Sequence, residues 1–450
     1  MAPGSSPVEE PRQRTVAALL TTVFCSSAAS VGLTTIVGKQ VYDLTGRAFD
    51  LGLLGLVEFT PAVLLVLVTG GVADRFDRRK VAAMGALGEG ASAAALAWYA
   101  GTNPTSAAPI FLIVLGFGVS RAFFSPSARS LPADVVTEDR VPWLIARHAG
   151  TSHAGTVVGP VLSGTLYAVD VRLPYVAVAG LTVIAAGALL RVRLTSPRQT
   201  RRGSARMATE AAALRKSGGE PELGGASTSL EAVAAAPSSR PSWSEAIEGL
   251  RFIRSRPILV GALSLDLFAV LFGGAVALLP AIATDRLGVG AVGLGWLRAA
   301  AGIGSALVMV RLALRPVARR VGRTLLFAVG AFGAGTIVLG LTRTYVVAFL
   351  AIAALSGADA VSMFIRATLV PLITPPDRRG RVLAVENLFI GGSNELGAFE
   401  SGLAAQALGT GGAVVLGGFA TLAVAAIWWR VFPALRDVDG FPGWATGPDP

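Results

Sequence analysis

One feature constrains this chain more than any other. Stretches of about 20 mainly apolar residues, the length a helix needs to cross the hydrocarbon of a bilayer, recur along almost all of it. They fall at 16–38, 51–73, 81–100, 109–131, 143–168 and 173–192, and again at 257–283, 291–314, 324–342, 345–372, 382–408 and 411–432. Lipid offers a peptide backbone no hydrogen bonds, so segments of this kind must satisfy their own amides as helices. The expected fold is therefore all-α, with twelve transmembrane helices, and the glycine content of the last two allows a re-entrant arrangement there. Composition agrees: 15% of the residues are charged, well below the roughly 25% of a soluble domain. Arg12 and Arg14 precede the first apolar run as they would in a signal peptide, but that run continues to Val37, beyond the usual signal core of about 7–15 residues. It is read as a span.

The net charge of +11 is carried by short basic clusters between the apolar runs. Such placement suits headgroup anchoring better than a phosphate-binding face, so the bilayer is an expected partner and nucleic acid is not. Basic residues are concentrated in alternate connections: the opening stretch, Arg140, Arg191 to Arg256, Arg315 to Arg323, and Arg378 to Arg381. By the positive-inside rule these connections and both termini are cytoplasmic, in the cell membrane. Cys25 is the only cysteine, and His148 and His153 stand five apart on different faces of one span. No metal site or cofactor is expected. Nor is an enzyme, since the chain has neither a Gly-x-Ser-x-Gly elbow nor a phosphate-cradling loop.

Residues 194–241 break the pattern, being polar and rich in Ala, Gly, Ser and Pro, the composition of a disordered linker. After them SWSEAIEGLRFIRSRP places apolar residues at helical spacing. It predicts either an amphipathic helix lying at the interface, its basic end toward anionic lipid, or an extension of the seventh span. The chain divides accordingly into a tail (1–15), a first six-helix bundle (16–193), a linker with amphipathic helix (194–256), a second bundle (257–433) and a tail (434–450). The bundles are related. ARSLPADVVTEDRVPWL (128–144) matches IRATLVPLITPPDRRGRVL (365–383), and VADRFDRRK (72–80) matches VARRVGRTL (317–325), at similar shifts. Duplicated bundles place a substrate at the interface between them.

GGVADRFDRRKV (70–81) packs six charges into seven positions between two apolar runs. Topology anchoring accounts for Arg78, Arg79 and Lys80 but not for Asp74, which needs a cation or a helix amide end as partner. This loop resembles the signature between the second and third spans of the major facilitator superfamily. The resemblance implies a latch of Gly71, Asp74, Arg75, Arg78 and Arg79, holding the cytoplasmic ends of the bundles together in the outward-facing state, against the eleventh helix near Arg381. The second copy carries Arg319 where the first has Asp74, which makes the first copy the working one. GTVVGPVLSG (155–164) resembles the fifth-helix signature of proton-coupled exporters in the superfamily, with Gly155, Gly159, Pro160 and Gly164 as its marks. Small residues at a helix contact are the plainer explanation of the same spacing. FIGGSNELGAFESG (389–402) and PSARSLPADVV resemble the enterobactin-exporter branch, which also holds drug exporters. Arg121, where a small residue is usual, and the long linker depart from it.

Ionisable residues within the spans are few, and burial makes each a candidate for function. Asp266, Asp359, Glu395 and Glu58 are the candidates for taking up a proton on one side and releasing it on the other. Arg121, Arg298, Arg366, Phe268, Phe272, Phe389 and Asn394 are candidates for a substrate cavity, although an Arg paired to an acid for packing is as good a reading of Arg366 and Arg298. The function expected is secondary active export of a siderophore-like or drug-like small molecule by proton antiport and alternating access, from a monomer. A lipid or lysolipid flippase, or a non-transporting receptor on the same fold, is the alternative.

Overall fold

The computed structural model describes residues 9–129, 131–136, 140–192 and 243–441. The linker expected at 194–241, both extreme tails and the side chain of Asp74 lie outside the described residues. Among those described there is no strand. The long helices are α1 (Glu9–Thr45), α2 (Ala48–Arg75), α3 (Arg78–Ala100), α4 (Ala108–Arg129), α5 (Val141–Val169) and α6 (Leu173–Arg191). After the linker come α7 (Trp243–Arg254), α8 (Pro257–Phe272), α9 (Ala291–Leu314), α10 (Val321–Leu341), α11 (Tyr345–Ile373) and α12 (Arg379–Val431).

Among the described residues, ten helices are long and apolar enough to cross a membrane, α8 being counted with its continuation to Arg286. α12 is one of the ten, but at Gly409 its backbone takes φ 72 and ψ 158, a combination open essentially to glycine alone. There it folds into two arms. Both are helical throughout, so the region is a hairpin of two spans and not a re-entrant loop. α5 is long enough to cross as well, at 29 residues, but is diluted by Arg147, His148 and His153. With α5 added and α12 divided, the segments agree with the twelve expected.

The helices run past the apolar stretches at their ends because polar side chains support the extra turns. α1 continues to Thr45, where Lys39 and Asp43 pair one turn apart. α3 begins at a true N-cap: the Asp77 carboxylate accepts from the Arg79 amide at 3.0 Å, satisfying one of the amides a helix start leaves free. α8 ends at Gly273 and continues as a 3-10 segment (Gly274–Leu278), one helical turn and a π segment ending at Arg286.

Packing follows a pseudo-twofold. In the first bundle α1 lies on α5 and α6, α3 on α4 and α6, and α2 on α4. In the second, α8 lies on both arms of α12, α10 on α11 and the second arm, and α9 on α11. Each contact in one list has its counterpart in the other. The same operation exchanges the two major contacts between bundles, α5 with α9 and α2 with the first arm of α12. Small residues permit these approaches. A Cβ on Gly159 would stand 2.2 Å from the Ala28 carbonyl oxygen on α1, and one on Gly164 would stand 2.4 Å from the Ala291 carbonyl oxygen on α9.

Candidate functional site

A cavity of about 430 Å³ lies between the bundles, lined from α1, α2 and α4 on one side and from α8, its 3-10 continuation, α9, α10, α11 and the first arm of α12 on the other. That volume falls in the range of small-molecule sites. Its wall mixes apolar side chains with a few charged groups. The first bundle supplies Glu58 and Arg121, and the second supplies Arg298, Asp359 and Glu395. Asn394 and the α1 residues Ser30, Thr34 and Thr35 add hydrogen-bonding capacity.

Local packing explains how these groups reach the cavity. α4 crosses α2 at Gly118, where a Cβ would stand 2.3 Å from the Glu58 carbonyl oxygen. Arg121, one turn further on, is thereby brought toward Glu58, and its guanidinium donates to Ser30 Oγ at 2.5 Å. Arg298 donates from Nη1 to the Val276 carbonyl at 3.0 Å. It thus uses an acceptor that the 3-10 break after α8 leaves turned toward it. The Glu395 carboxylate reaches across the bundle interface to Gly55 of α2, where an added Cβ would meet Oε2 at 2.7 Å. Among the described residues, none of Glu58, Asp359 and Glu395 has an arginine nitrogen within 4 Å. They are carboxyls facing a cavity, not members of formed ion pairs.

The charges obey the pseudo-twofold with their signs reversed. Glu58 and Arg298 lie 240 positions apart and Arg121 and Asp359 lie 238 apart, close to the shift between the repeats, and all four line the cavity. An acid in one bundle is matched by a base in the other.

Other candidates lie elsewhere. Arg366 is 5% exposed and pairs with the equally buried Asp266 at 2.6 Å, a lock between α11 and α8. Neither lines the cavity, but a space of about 10 Å³, one water's worth, separates Asp266 from Asp359 and touches both. Phe268 and Phe272 pack on each other and Phe268 on Trp428 inside the second bundle. Phe389 packs against the cluster of Phe252, Ile253 and Val385. Among the described residues, the only aromatic ring in the lining belongs to Phe332. Gly155 and Gly159 face α1, whereas Pro160 and Gly164 meet Gly295 and Ala291 of α9 in the other bundle. The stretch 70–81, read from sequence as a loop, is helical but for Phe76 and Asp77 between α2 and α3; there Gly71 has open space around it, Arg75 is exposed, and Arg79 pairs with Asp77 at 2.7 Å while donating to the Val192 carbonyl at 2.8 Å. Arg381 is held by Glu248 of α7 at 2.9 Å.

Sequence reasoning missed two groups. Ser30, Thr34 and Thr35 carry a signal that could have found them, hydroxyls recurring on one face of an apolar span. The acceptor at Val276 carries none, because it is a backbone oxygen freed by a helix break. Glu89 of α3 is 1% exposed with no partner for Oε1; it lies in the first bundle, within electrostatic reach of Arg121 and Glu58.

Two pseudosymmetric bundles around a charged central cavity define a membrane transporter. The model of the Major Facilitator Superfamily matches residues 19–365, and the chain belongs to that superfamily. Solved structures agree in fold. A bacterial homologue of the human lysosomal transporter Spinster, inward-facing and unoccupied, aligns with TM-score 0.64 and 16% identity over 96% of this chain and 97% of its own. The nucleoside transporter NupG aligns with TM-score 0.67 and 11% identity over 92% and 99%. A POT family transporter in complex with 5-aminolevulinic acid gives 0.65 and 11% over 94% and 96%. No curated protein is matched by sequence.

Proposed function

We propose that the protein is a proton-coupled exporter of an amphiphilic small molecule, siderophore-like or drug-like, working by alternating access across the cell membrane. The observation that carries this reading is the meeting of Glu58, Asp359 and Glu395, from both bundles, in one cavity large enough for a small molecule. Carboxyls without a formed ion pair give a proton and a substrate a common place to compete, and Arg121 and Arg298 supply counter-charge for an anionic group on the substrate.

The conformation supports alternating access. Tyr42 donates to the Asp285 carboxylate, Phe49 packs edge-on against Phe399 at 5.7 Å, and Gly38 lies against Pro280. These contacts join the bundles between the cavity and their arginine-poor end, so the state is read as closed outside. The assigned latch of Asp74 and Arg78 against the first arm of α12 belongs to the opposite state. In this one Arg381 is engaged by Glu248.

The test is transport in proteoliposomes under an imposed pH gradient, with a siderophore panel set against a drug panel. The reading expects substrate to move against its gradient when protons move the other way. In Glu395→Gln it expects downhill movement to survive while the pH gradient loses its effect. Uphill transport by that variant at the wild-type rate would remove Glu395 from the coupling. Failure of the wild type to respond to pH with any substrate it carries would end the antiport reading.

A further inference from the structure

α7 has two faces of different character, and the transport reading uses neither. Gly249, Phe252 and Ile253 are buried. They pack on the basic ends of α8, α11 and α12: Phe252 and Ile253 join Leu259, Val370 and Val382 in one cluster, and a Cβ on Gly249 would stand 2.9 Å from the Arg381 carbonyl oxygen. The opposite arc, at helical positions i, i+3, i+4 and i+7, holds Ile247, Leu250, Arg251 and Arg254, all exposed. Ile247 and Leu250 are 55% and 39% exposed. A soluble helix seldom turns apolar side chains and guanidinium groups to water on one arc, whereas a helix lying in the headgroup layer is built that way.

Charge says what covers this arc. Arg256 and Arg378 are exposed at the end of α7 where Phe252 packs, their guanidinium groups over the Phe252 ring at 5.8 and 5.3 Å, and Arg378 also lies 3.5 Å from the Asp377 carboxylate. Four arginines thus gather where α7 turns into a membrane span. From Ile247 to Arg256 the one acid is Glu248, on the flank of the helix and paired with Arg381 at 2.9 Å. Clusters of about four to eight basic residues beside a span, with apolar anchors, attract anionic headgroups.

We propose that the exposed arc of α7 binds anionic lipid headgroups, and that the Glu248–Arg381 pair transmits this occupancy to the first turn of α12. The partner is an anionic bilayer surface: Ile247 and Leu250 enter the acyl boundary, and Arg251 and Arg254 face the phosphates. Lipid that steadies α7 steadies the pair, and so holds Arg381 in the state described above.

The experiment is hydrogen–deuterium exchange on the full chain in nanodiscs of phosphatidylcholine, and in the same discs with one third of the lipid replaced by phosphatidylglycerol. Exchange over 247–254 should slow by on the order of tenfold in the anionic discs, and exchange over 379–386 should slow with it. Arg251→Gln with Arg254→Gln should lose both responses while exchange in α10 and α11, the control for folding, stays as in wild type. Glu248→Gln should keep the response of 247–254 and lose that of 379–386. Equal exchange of 247–254 in the two discs, or a lipid response surviving the double arginine substitution, overturns the binding. A response of 379–386 retained in Glu248→Gln overturns the transmission.

Discussion

Two buried or half-buried ion pairs test the residue-level account. Asp266 and Arg366 pair at 2.6 Å with almost no exposure, so removing one charge strands the other at a cost of about 3–5 kcal/mol, whereas an apolar pair of similar volume is often neutral. Asp266→Asn should lower the thermal unfolding midpoint sharply in detergent, and Asp266→Leu with Arg366→Met should recover most of the loss. At the start of α3, the hydrogen bond from the Arg79 side chain holds the Asp77 carboxyl below its ordinary value. The unfolded state then binds the proton more readily, so the stabilisation is complete above the ordinary carboxylate range, about pH 3.9, and fades as pH falls through the lowered native value. Asp77→Ala should cost about 1 kcal/mol at neutral pH and much less in strong acid, measured as the difference in unfolding midpoint between the variant and wild type. At this scale the sequence was only partly legible. It shows how deep a charged residue lies along a span but not which way it faces. For that reason, of the candidates the sequence offers, Glu58, Arg121, Arg298, Asp359, Asn394 and Glu395 line the cavity, while Arg366, Phe268, Phe272 and Phe389 pack within the second bundle or against α7.

Elements were the most legible scale, because the bilayer fixes helix length and exposed charge fixes where helices stop. The apolar runs agree with the helices except where polar pairs extend an end, as Lys39 and Asp43 do on α1, or where backbone departs from α geometry. The 3-10 and π segments from Gly274 to Arg286 are of the second kind: a run of apolar residues reads as helix whether or not its hydrogen bonds shift register. Gly409 is the sharpest case. Its φ of 72 with ψ of 158 is closed to residues with a Cβ, at a cost of about 1–3 kcal/mol, and nothing lies within 4 Å of the space a Cβ would fill. Backbone strain is therefore the whole penalty. Gly409→Ala should lower thermal stability by that amount and raise amide exchange at the turn between the arms of α12; an unchanged unfolding midpoint would contradict the assigned turn geometry.

For the whole molecule, the pseudo-twofold ties fold to function. It relates the packing of α1–α6 to that of α8–α12 and pairs Glu58 with Arg298 and Arg121 with Asp359 under opposite sign, so neither bundle alone forms the site. The duplication was visible in the matched stretches at 128–144 and 365–383, but the sign reversal was not, since it becomes meaningful only when both copies face one cavity. Contacts between bundles at the arginine-poor end, and Arg381 engaged by Glu248 at the other, describe one of two states whose exchange is the central claim. The most direct measurement is a pair of spin-label distances in a Cys25→Ser background, Lys80→Cys with Arg315→Cys at the basic ends and Thr102→Cys with Arg343→Cys at the opposite ends, recorded across pH. The account predicts reciprocal change, one distance shortening as the other lengthens, with Glu395→Gln abolishing the dependence on pH. Distances that stay fixed across the range, or that lengthen and shorten together, would contradict alternating access in this protein.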